Sequence, residues 1–360
     1  MGTLRFLFAF AVVGAHVGHL PWAIPLGGDT AVQSFYIISG FLIALVWDNK
    51  YADQPNGLYL FYTNRAARIY YLYWIVLVIS ILVALVTKYL TRDYPGFFST
   101  PPRGLLAYSI FTNFFIFGSA EALWLGYDGS LYFTMDYKSS PYPVWRTMTL
   151  SPAWTLELEL LFYLIAPFLI RRSLRLLVAI IAVSLAARFA WYAIGYDTDP
   201  WTYRFFPFEI AMFLLGVVTY RVSRLIAWKP NRATLYAMFA AVLAAVLFYP
   251  LGGSTRLVFV YLFAFAALLP YIFSLTRTWK VDRFLADMSF PLYLVHWPVW
   301  LFIRDVTPAP WPQYPGIVPA VASVAAAALL VVYVERPIER WRQARITSTA
   351  NAPVPAGAVG

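Results

Sequence analysis

Trp154-Thr155-Leu156-Glu157-Leu158-Glu159-Leu160-Leu161-Phe162-Tyr163-Leu164-Ile165-Ala166-Pro167-Phe168-Leu169-Ile170, closed by Arg171 and Arg172, is the stretch on which the reading of this chain turns. Crossing the hydrocarbon core of a bilayer takes about 20 mostly apolar residues. This run supplies nearly that many and departs from the pattern only at two carboxylates in its first turns. Working outward, similar runs recur at 4–20, 30–47, 70–90, 175–194, 206–222, 233–250, 256–275, 288–304 and 316–334. An eleventh, Leu105 to Ala120, is shorter and contains Thr112 and Asn113. Over 360 residues the chain is 61% hydrophobic and 12% charged, half the charge of a typical soluble domain at about 25%. Too little polar surface remains to cover such a chain in water. The same composition excludes disorder and basic nucleic-acid-binding tails.

The net charge of +10 is placed as short clusters between the apolar runs: Arg171, Arg172 and Arg175; Arg221, Arg224, Lys229 and Arg232; Arg277, Lys280 and Arg283; Arg336, Arg340, Arg342 and Arg345. Such clusters mark loops facing the cytoplasm. They fall on one side if the chain crosses ten times and 105–120 does not cross. The expected fold is an all-α, polytopic transmembrane bundle of about ten spans. Both termini are cytoplasmic and 105–120 is a re-entrant or interfacial helix. On this topology residues 88–152 form a long loop on the other side, although Lys88, Arg92 and Arg103 fit it poorly. No small-residue cleavage site follows the first run, so it reads as a span and not as a signal peptide. The membrane domain is expected over 1–346, with 347–360, rich in Ala, Pro and Gly, as a disordered tail.

An ionisable residue inside a span is a functional candidate by default. Arg5 and His16 are eleven residues apart, close to three full turns, so they share one helical stripe roughly 16 Å apart. Taken alone, the pair is better explained as a snorkelling arginine and a hydrogen-bonded packing histidine. Arg65 and Arg68 share a face where their helix is expected to begin, and with Arg5 they make an anion site at the cytoplasmic edge. Simple positive-inside anchoring is the plainer account. Glu157 and Glu159 point about 200° apart, so one partner can meet only one of them. His296 lies mid-span. Ser39 precedes Gly40 within a span, where glycine favours close helix packing, and no strand-turn-helix elbow makes that serine a nucleophile. With three histidines and no cysteine, no metal site is expected. The aromatic residues of 124–145 suit sugar rings, but Trp and Tyr also collect at membrane interfaces.

Read together, these residues resemble the membrane acyltransferase family 3, the integral-membrane O-acyltransferases of bacterial surface glycans. The resemblance runs from Thr3 to about Glu339. It rests on Arg5-x10-His16, on Ser34-Phe35-Tyr36-Ile37-Ile38-Ser39-Gly40-Phe41-Leu42-Ile43, and on Phe61-Tyr62-Thr63-Asn64-Arg65-Ala66-Ala67-Arg68-Ile69. It continues in Trp154-Thr155-Leu156 with Glu159 ahead of Phe162-Tyr163-Leu164, in Ser289 to Pro298 around His296, and in Glu335-Arg336-Pro337. Two positions depart from the pattern: Tyr71, where the family often has proline, and Phe290, where tyrosine is common.

The resemblance implies a bacterial inner-membrane enzyme of the stand-alone type. It would move an acetyl or succinyl group from cytoplasmic acyl-CoA to a carbohydrate hydroxyl of an exported polysaccharide or its lipid-linked precursor. Acyl-CoA is then a substrate, with no permanently bound cofactor. Polysaccharide-building machinery is an implied partner and nucleic acid is not. Arg5, Arg65 and Arg68 would hold the coenzyme A phosphates, His16 would be the general base, and Glu159 would orient it or hold the acceptor. Ser39, Trp154, His296 and Glu335 would be supporting polar contacts. The rival class is a secondary transporter, or a carrier that hands the acyl group to another protein across the membrane.

Overall fold

A computed structural model of the chain describes residues 1–91, 101–248, 255–307 and 312–350. Among the described residues the helices are α1 (Gly2–His16), α2 (Gly28–Lys50), α3 (Gly57–Thr91), α4 (Leu106–Phe115), α5 (Trp154–Ile170) and α6 (Leu174–Ala193). There follow α7 (Phe206–Leu225), α8 (Arg232–Phe248), α9 (Thr255–Thr276), α10 (Lys280–Val306), α11 (Ile317–Leu330) and α12 (Arg336–Ala350). Among the described residues seven helical stretches are long and apolar enough to cross a membrane, and Gly2–His16 and Arg232–Phe248 are shorter apolar helices. At 27 residues α10 is long enough too, about 40 Å, but Asp282, Arg283, Asp287, Arg304 and Asp305 lower its hydropathy. Its middle is apolar and buried against α1 and α11, so it meets protein more than lipid. The chain is a polytopic membrane protein.

Three boundaries differ from the hydropathy reading. The first span, expected to reach residue 20, stops at His16, because Gly18 turns the chain with φ +93°, a conformation glycine reaches without strain. The third begins at Gly57, not 70. Arg65 and Arg68 therefore lie two to three turns inside α3 and not at its start. Residues 57–69 are too polar to register as a span and are helical because they pack inside the bundle, where Phe61, Asn64, Arg65 and Ile69 are buried. The last helix does not end near 334. It passes through a π-helical turn, Val331–Glu335, and continues as α12. Pro337 has no N–H and its ring would clash with a carbonyl one turn back, which the wider turn accommodates. The tail expected from 347 falls from 351 onward outside the described residues, and the backbone of 347–350 completes α12.

Residues 101–153 hold a feature beyond an all-helical reading, a small antiparallel sheet in the order β2-β1-β3: β1 Leu125–Tyr127, β2 Leu131–Phe133 and β3 Tyr142–Pro143. Here too lies α4, whose ten residues span only about 15 Å, too short to cross. Three side chains of α3 hold its last carbonyls: Tyr73 OH donates to Asn113 O at 2.7 Å, Trp74 Nε1 to Phe114 O at 2.9 Å and Tyr70 OH to Phe115 O at 2.6 Å. Ile110, Phe111, Phe114 and Phe115 remain exposed, which suits a helix resting at an interface.

The centre of the bundle is the contact of α2 with α7. A Cβ on Gly40 would stand 1.8 Å from the Phe213 carbonyl oxygen, and one on Gly216 would stand 2.0 Å from the Ile37 oxygen. The two backbones touch at both points, as small residues allow between membrane helices. Beside this seam Arg188 and Glu209, both fully buried, form an ion pair, and Gln33 Nε2 donates to Glu209 at 3.1 Å. These two intramembrane charges are thereby accounted for as internal structure.

Candidate active site

A cavity of about 240 Å³ runs along α2. The lining positions Val32, Phe35, Ser39, Leu42, Val46 and Lys50 recur every three or four residues and so form one stripe of the helix. The other walls come from α1 (Arg5), α3 (Arg65, Arg68), α5 (Thr155, Glu159, Tyr163), α10 (Ser289, Tyr293) and α12 (Glu339, Arg342, Gln343). Five of the sequence-predicted residues, Arg5, Ser39, Arg65, Arg68 and Glu159, thus share one chamber although four helices carry them.

The two carboxylates of α5 separate as their helical phase requires. Glu157 turns away to residues 118–120, accepting from Gly118 N–H at 2.7 Å, Ala120 N–H at 2.6 Å and the Ser119 hydroxyl at 3.1 Å. It pins the chain just after α4. Glu159 faces the cavity, where its Oε1 accepts from Ser39 Oγ at 3.0 Å and from the Tyr163 hydroxyl. Arg65 lies 5.8 Å from the Tyr163 and Phe61 ring centres, within cation–π range. Arg68 lies within Coulombic reach of Glu335 and Glu339, and Arg5 within reach of Arg68 and Glu159.

His16 is not in the cavity wall. It sits one layer further, paired with His296: His16 Nδ1 to His296 Nε2 is 3.2 Å and the rings lie 5.2 Å apart, 29° from parallel. Tyr293 stands between this pair and the cavity, its ring 6.1 Å from that of His296 and its hydroxyl 2.6 Å from Thr155 Oγ1. Tautomers follow from the partners. His16 Nδ1 is 2.9 Å from the Val12 carbonyl and His296 Nδ1 is 3.3 Å from the Leu292 carbonyl. A carbonyl only accepts, so each Nδ1 carries the proton of the neutral ring. His296 Nε2 then has a lone pair toward His16 Nδ1–H, and the lone pair on His16 Nε2 is left outside the pair. His296 is fully buried and His16 partly exposed. Among the described residues no hydrogen bond joins Glu159 to His16.

Trp154 belongs to a different layer. Arg204 lies 4.3 Å over its ring and 4.7 Å over that of Tyr203, and pairs with Asp199. This guanidinium is held above its ordinary pKa: burial alone would lower it, and Tyr203 and Asp199 outweigh that. Lys50, Tyr163, Tyr293 and Arg342 also line the chamber, and the sequence alone assigned none of them a site role. Tyr163 is one turn beyond Glu159 and was findable by spacing. Arg342 lies in a polar helix that hydropathy passes over.

Residues 2–336 match the family model for an acyltransferase domain, that of acyltransferase family 3. No curated protein and no solved structure matches the chain.

Proposed function

The chain belongs to acyltransferase family 3 and is a membrane acyltransferase, and from that premise we propose that it moves an acyl group from coenzyme A to a carbohydrate hydroxyl, with the donor entering from the cytoplasm. The reading is carried by one observation: an arginine-walled cavity that ends one aromatic layer short of a histidine with a free ring nitrogen. Guanidinium groups match phosphate oxygens in geometry and charge. The volume lies below the about 300–1,000 Å³ of ordinary ligand pockets, which suits a thin pantetheine arm. Glu159, at the depth of Ser39, would accept from the amide N–H groups of that arm and balance Arg5.

The acceptor hydroxyl approaches from the His16 side. Its proton passes to His16 Nε2 as its oxygen bonds to the thioester carbonyl carbon. The carbon–sulfur bond then breaks, the proton returns to the thiolate, and free coenzyme A and an ester leave. General base catalysis of this kind contributes typically 10²–10⁴-fold. His296 acts as a positioning residue that holds the Nδ1–H tautomer of His16. For thioester and histidine to meet, the Tyr293 side chain must swing aside. The proposed acceptor is a sugar of an exported or surface glycan, with the protein in a bacterial inner membrane beside polysaccharide-building machinery, as the family resemblance implies.

The test uses the protein in nanodiscs with acetyl-CoA, following release of free thiol by wild type and His16→Ala. Saturable binding by both, with thiol release at least 100-fold slower in the variant, is the expected result. Equal release by both removes His16 from the chemistry. A wild type that binds no coenzyme A removes the donor and favours a transporter.

A further inference from the structure

The cavity holds more positive charge than its own residues neutralise. Arg5, Lys50, Arg65, Arg68 and Arg342 line it against two carboxylates, Glu159 and Glu339. Arg65 and Arg342 are 9% and 6% exposed, and the Nε of each has no hydrogen-bond partner among the described residues. Buried guanidinium donors without acceptors are costly in an empty site and favourable in one that receives an anion.

The cations fall into two groups. Arg5, Arg65 and Arg68 lie on the transmembrane helices α1 and α3, in the chamber with Glu159. Lys50 and Arg342 lie at the mouth, the first being the last residue of α2 and the second belonging to α12. A chain of bonds ties these two together. Lys50 Nζ donates to Gln343 Oε1 at 3.0 Å, Gln343 Nε2 donates to Glu339, and Arg342 Nη1 donates to Glu339 Oε2 at 2.6 Å. Glu339 takes one Nη of the Arg342 fork, and the Arg342 side chain lines the cavity. These α12 residues lie beyond the family match, which stops at 336.

We propose that Arg342, assisted by Lys50, forms a second anion subsite that takes the 3′-phosphate of the donor coenzyme A. The inference rests on the donor reading above. Its basis is the order of groups along the donor: thioester, pantetheine arm, pyrophosphate, and last the ribose with its 3′-phosphate. Along α2, Ser39 and Lys50 are separated by about 16 Å of helix rise. With the pantetheine amides at the depth of Ser39 and Glu159, the pyrophosphate comes to the inner arginines and the terminal phosphate to the mouth. That phosphomonoester carries close to two charges at neutral pH, which suits a partly neutralised arginine beside a lysine.

The test compares binding of coenzyme A and 3′-dephospho-coenzyme A to wild type, Arg342→Gln and Lys50→Gln in nanodiscs. Wild type is expected to prefer coenzyme A by about 10–100-fold, the worth of a charge-assisted contact. Arg342→Gln is expected to lose most of that preference while its affinity for the dephospho compound changes less than about twofold, which also reports an intact fold. Lys50→Gln shows a smaller loss of the same kind. An equal fall for both ligands in Arg342→Gln overturns the assignment and moves Arg342 to the pyrophosphate. An unchanged preference overturns it outright. A wild type that binds neither ligand overturns the donor reading itself, a result distinct from either.

Discussion

Gly40→Ala is expected to loosen the bundle at its centre. The added Cβ would lie 1.8 Å from the Phe213 carbonyl oxygen, 2.8 Å from its carbon and 3.2 Å from its Cα. Ordinary contact begins near 3.4 Å, so α2 and α7 must part by roughly 1.5 Å. The obstacle is helix backbone, which cannot rotate away as a side-chain tip could. Overpacking of this kind costs about 1–3 kcal/mol. The same separation stretches the Gln33–Glu209 bond, now 3.1 Å, past hydrogen-bond length, which adds about 1 kcal/mol. Over a chain of 360 residues a total of about 2–4 kcal/mol corresponds to a fall in Tm of roughly 3–5 °C. Tryptophan fluorescence during thermal denaturation in detergent reads it. Gly216→Ala, whose Cβ would stand 2.0 Å from the Ile37 oxygen, should behave alike. Gly14→Ala is the control, because its Cβ meets only Leu20 Cδ1 at 3.7 Å and the change favours helix by about 1 kcal/mol. A Tm for Gly40→Ala within a degree of wild type would refute the close-packed seam.

Arg188→Met leaves Glu209 buried without its cation and should cost about 3–5 kcal/mol. Arg188→Met with Glu209→Leu should recover most of that, and additive losses in thermal denaturation would count against the pair. Glu157→Gln loses an acceptor for the backbone of 118–120 and should lower Tm by several degrees. Glu159→Gln should instead slow thiol release with little change in Tm, and the reverse pattern would exchange their roles. Asp282, near the start of α10 and outside its apolar middle, accepts from the Met1 ammonium at 2.7 Å, Gly2 and Thr3 N–H at 2.8 Å each, and the Thr3 hydroxyl at 2.9 Å. Burial alone would raise its pKa, but these bonds outweigh burial and hold it below the ordinary 3.8. Its contribution is therefore complete above that value and lost as pH falls through the depressed one. Asp282→Asn should lower Tm at pH 7, with the gap to wild type closing as pH falls below 3.8. A gap that stays constant with pH would contradict this.

Much of this architecture is legible in the chain because bilayer insertion needs long apolar runs, and α2, α5, α6, α7 and α9 announce themselves so. Arg5 and Glu159 were findable as charges where lipid tolerates none. What escapes such reading has identifiable physics. The first 13 residues of α3 are helical by tertiary packing and not by apolar content. α10 is shielded by α1 and α11, so it keeps charges that a lipid-facing helix would not. The pairing of His16 with His296 joins positions 280 apart in the chain, and no local period encodes it. The separation of the histidines from the arginine chamber by the Tyr293 ring likewise exists only in three dimensions. Arg342 sits in a helix whose polarity resembles that of any solvated tail.

The π-turn at Val331–Glu335 has a consequence for the tempo of sequence change in this segment. An α-helix rotates by about 100° per residue, and a π-turn holds one residue more than the α-turn it replaces. It is a phase shifter between two helices with separate duties. Before it, the buried face of α11 packs Ala320, Ser323 and Ala327 into the bundle; after it, Glu339, Arg342 and Gln343 meet the chamber mouth. Substitutions on either side can accumulate independently, since each face answers to its own neighbours. A single-residue insertion or deletion cannot be absorbed in the same way. It would swing the whole of α12 by about a quarter turn and carry the guanidinium of Arg342 off the mouth, while leaving every span and its hydropathy unaltered.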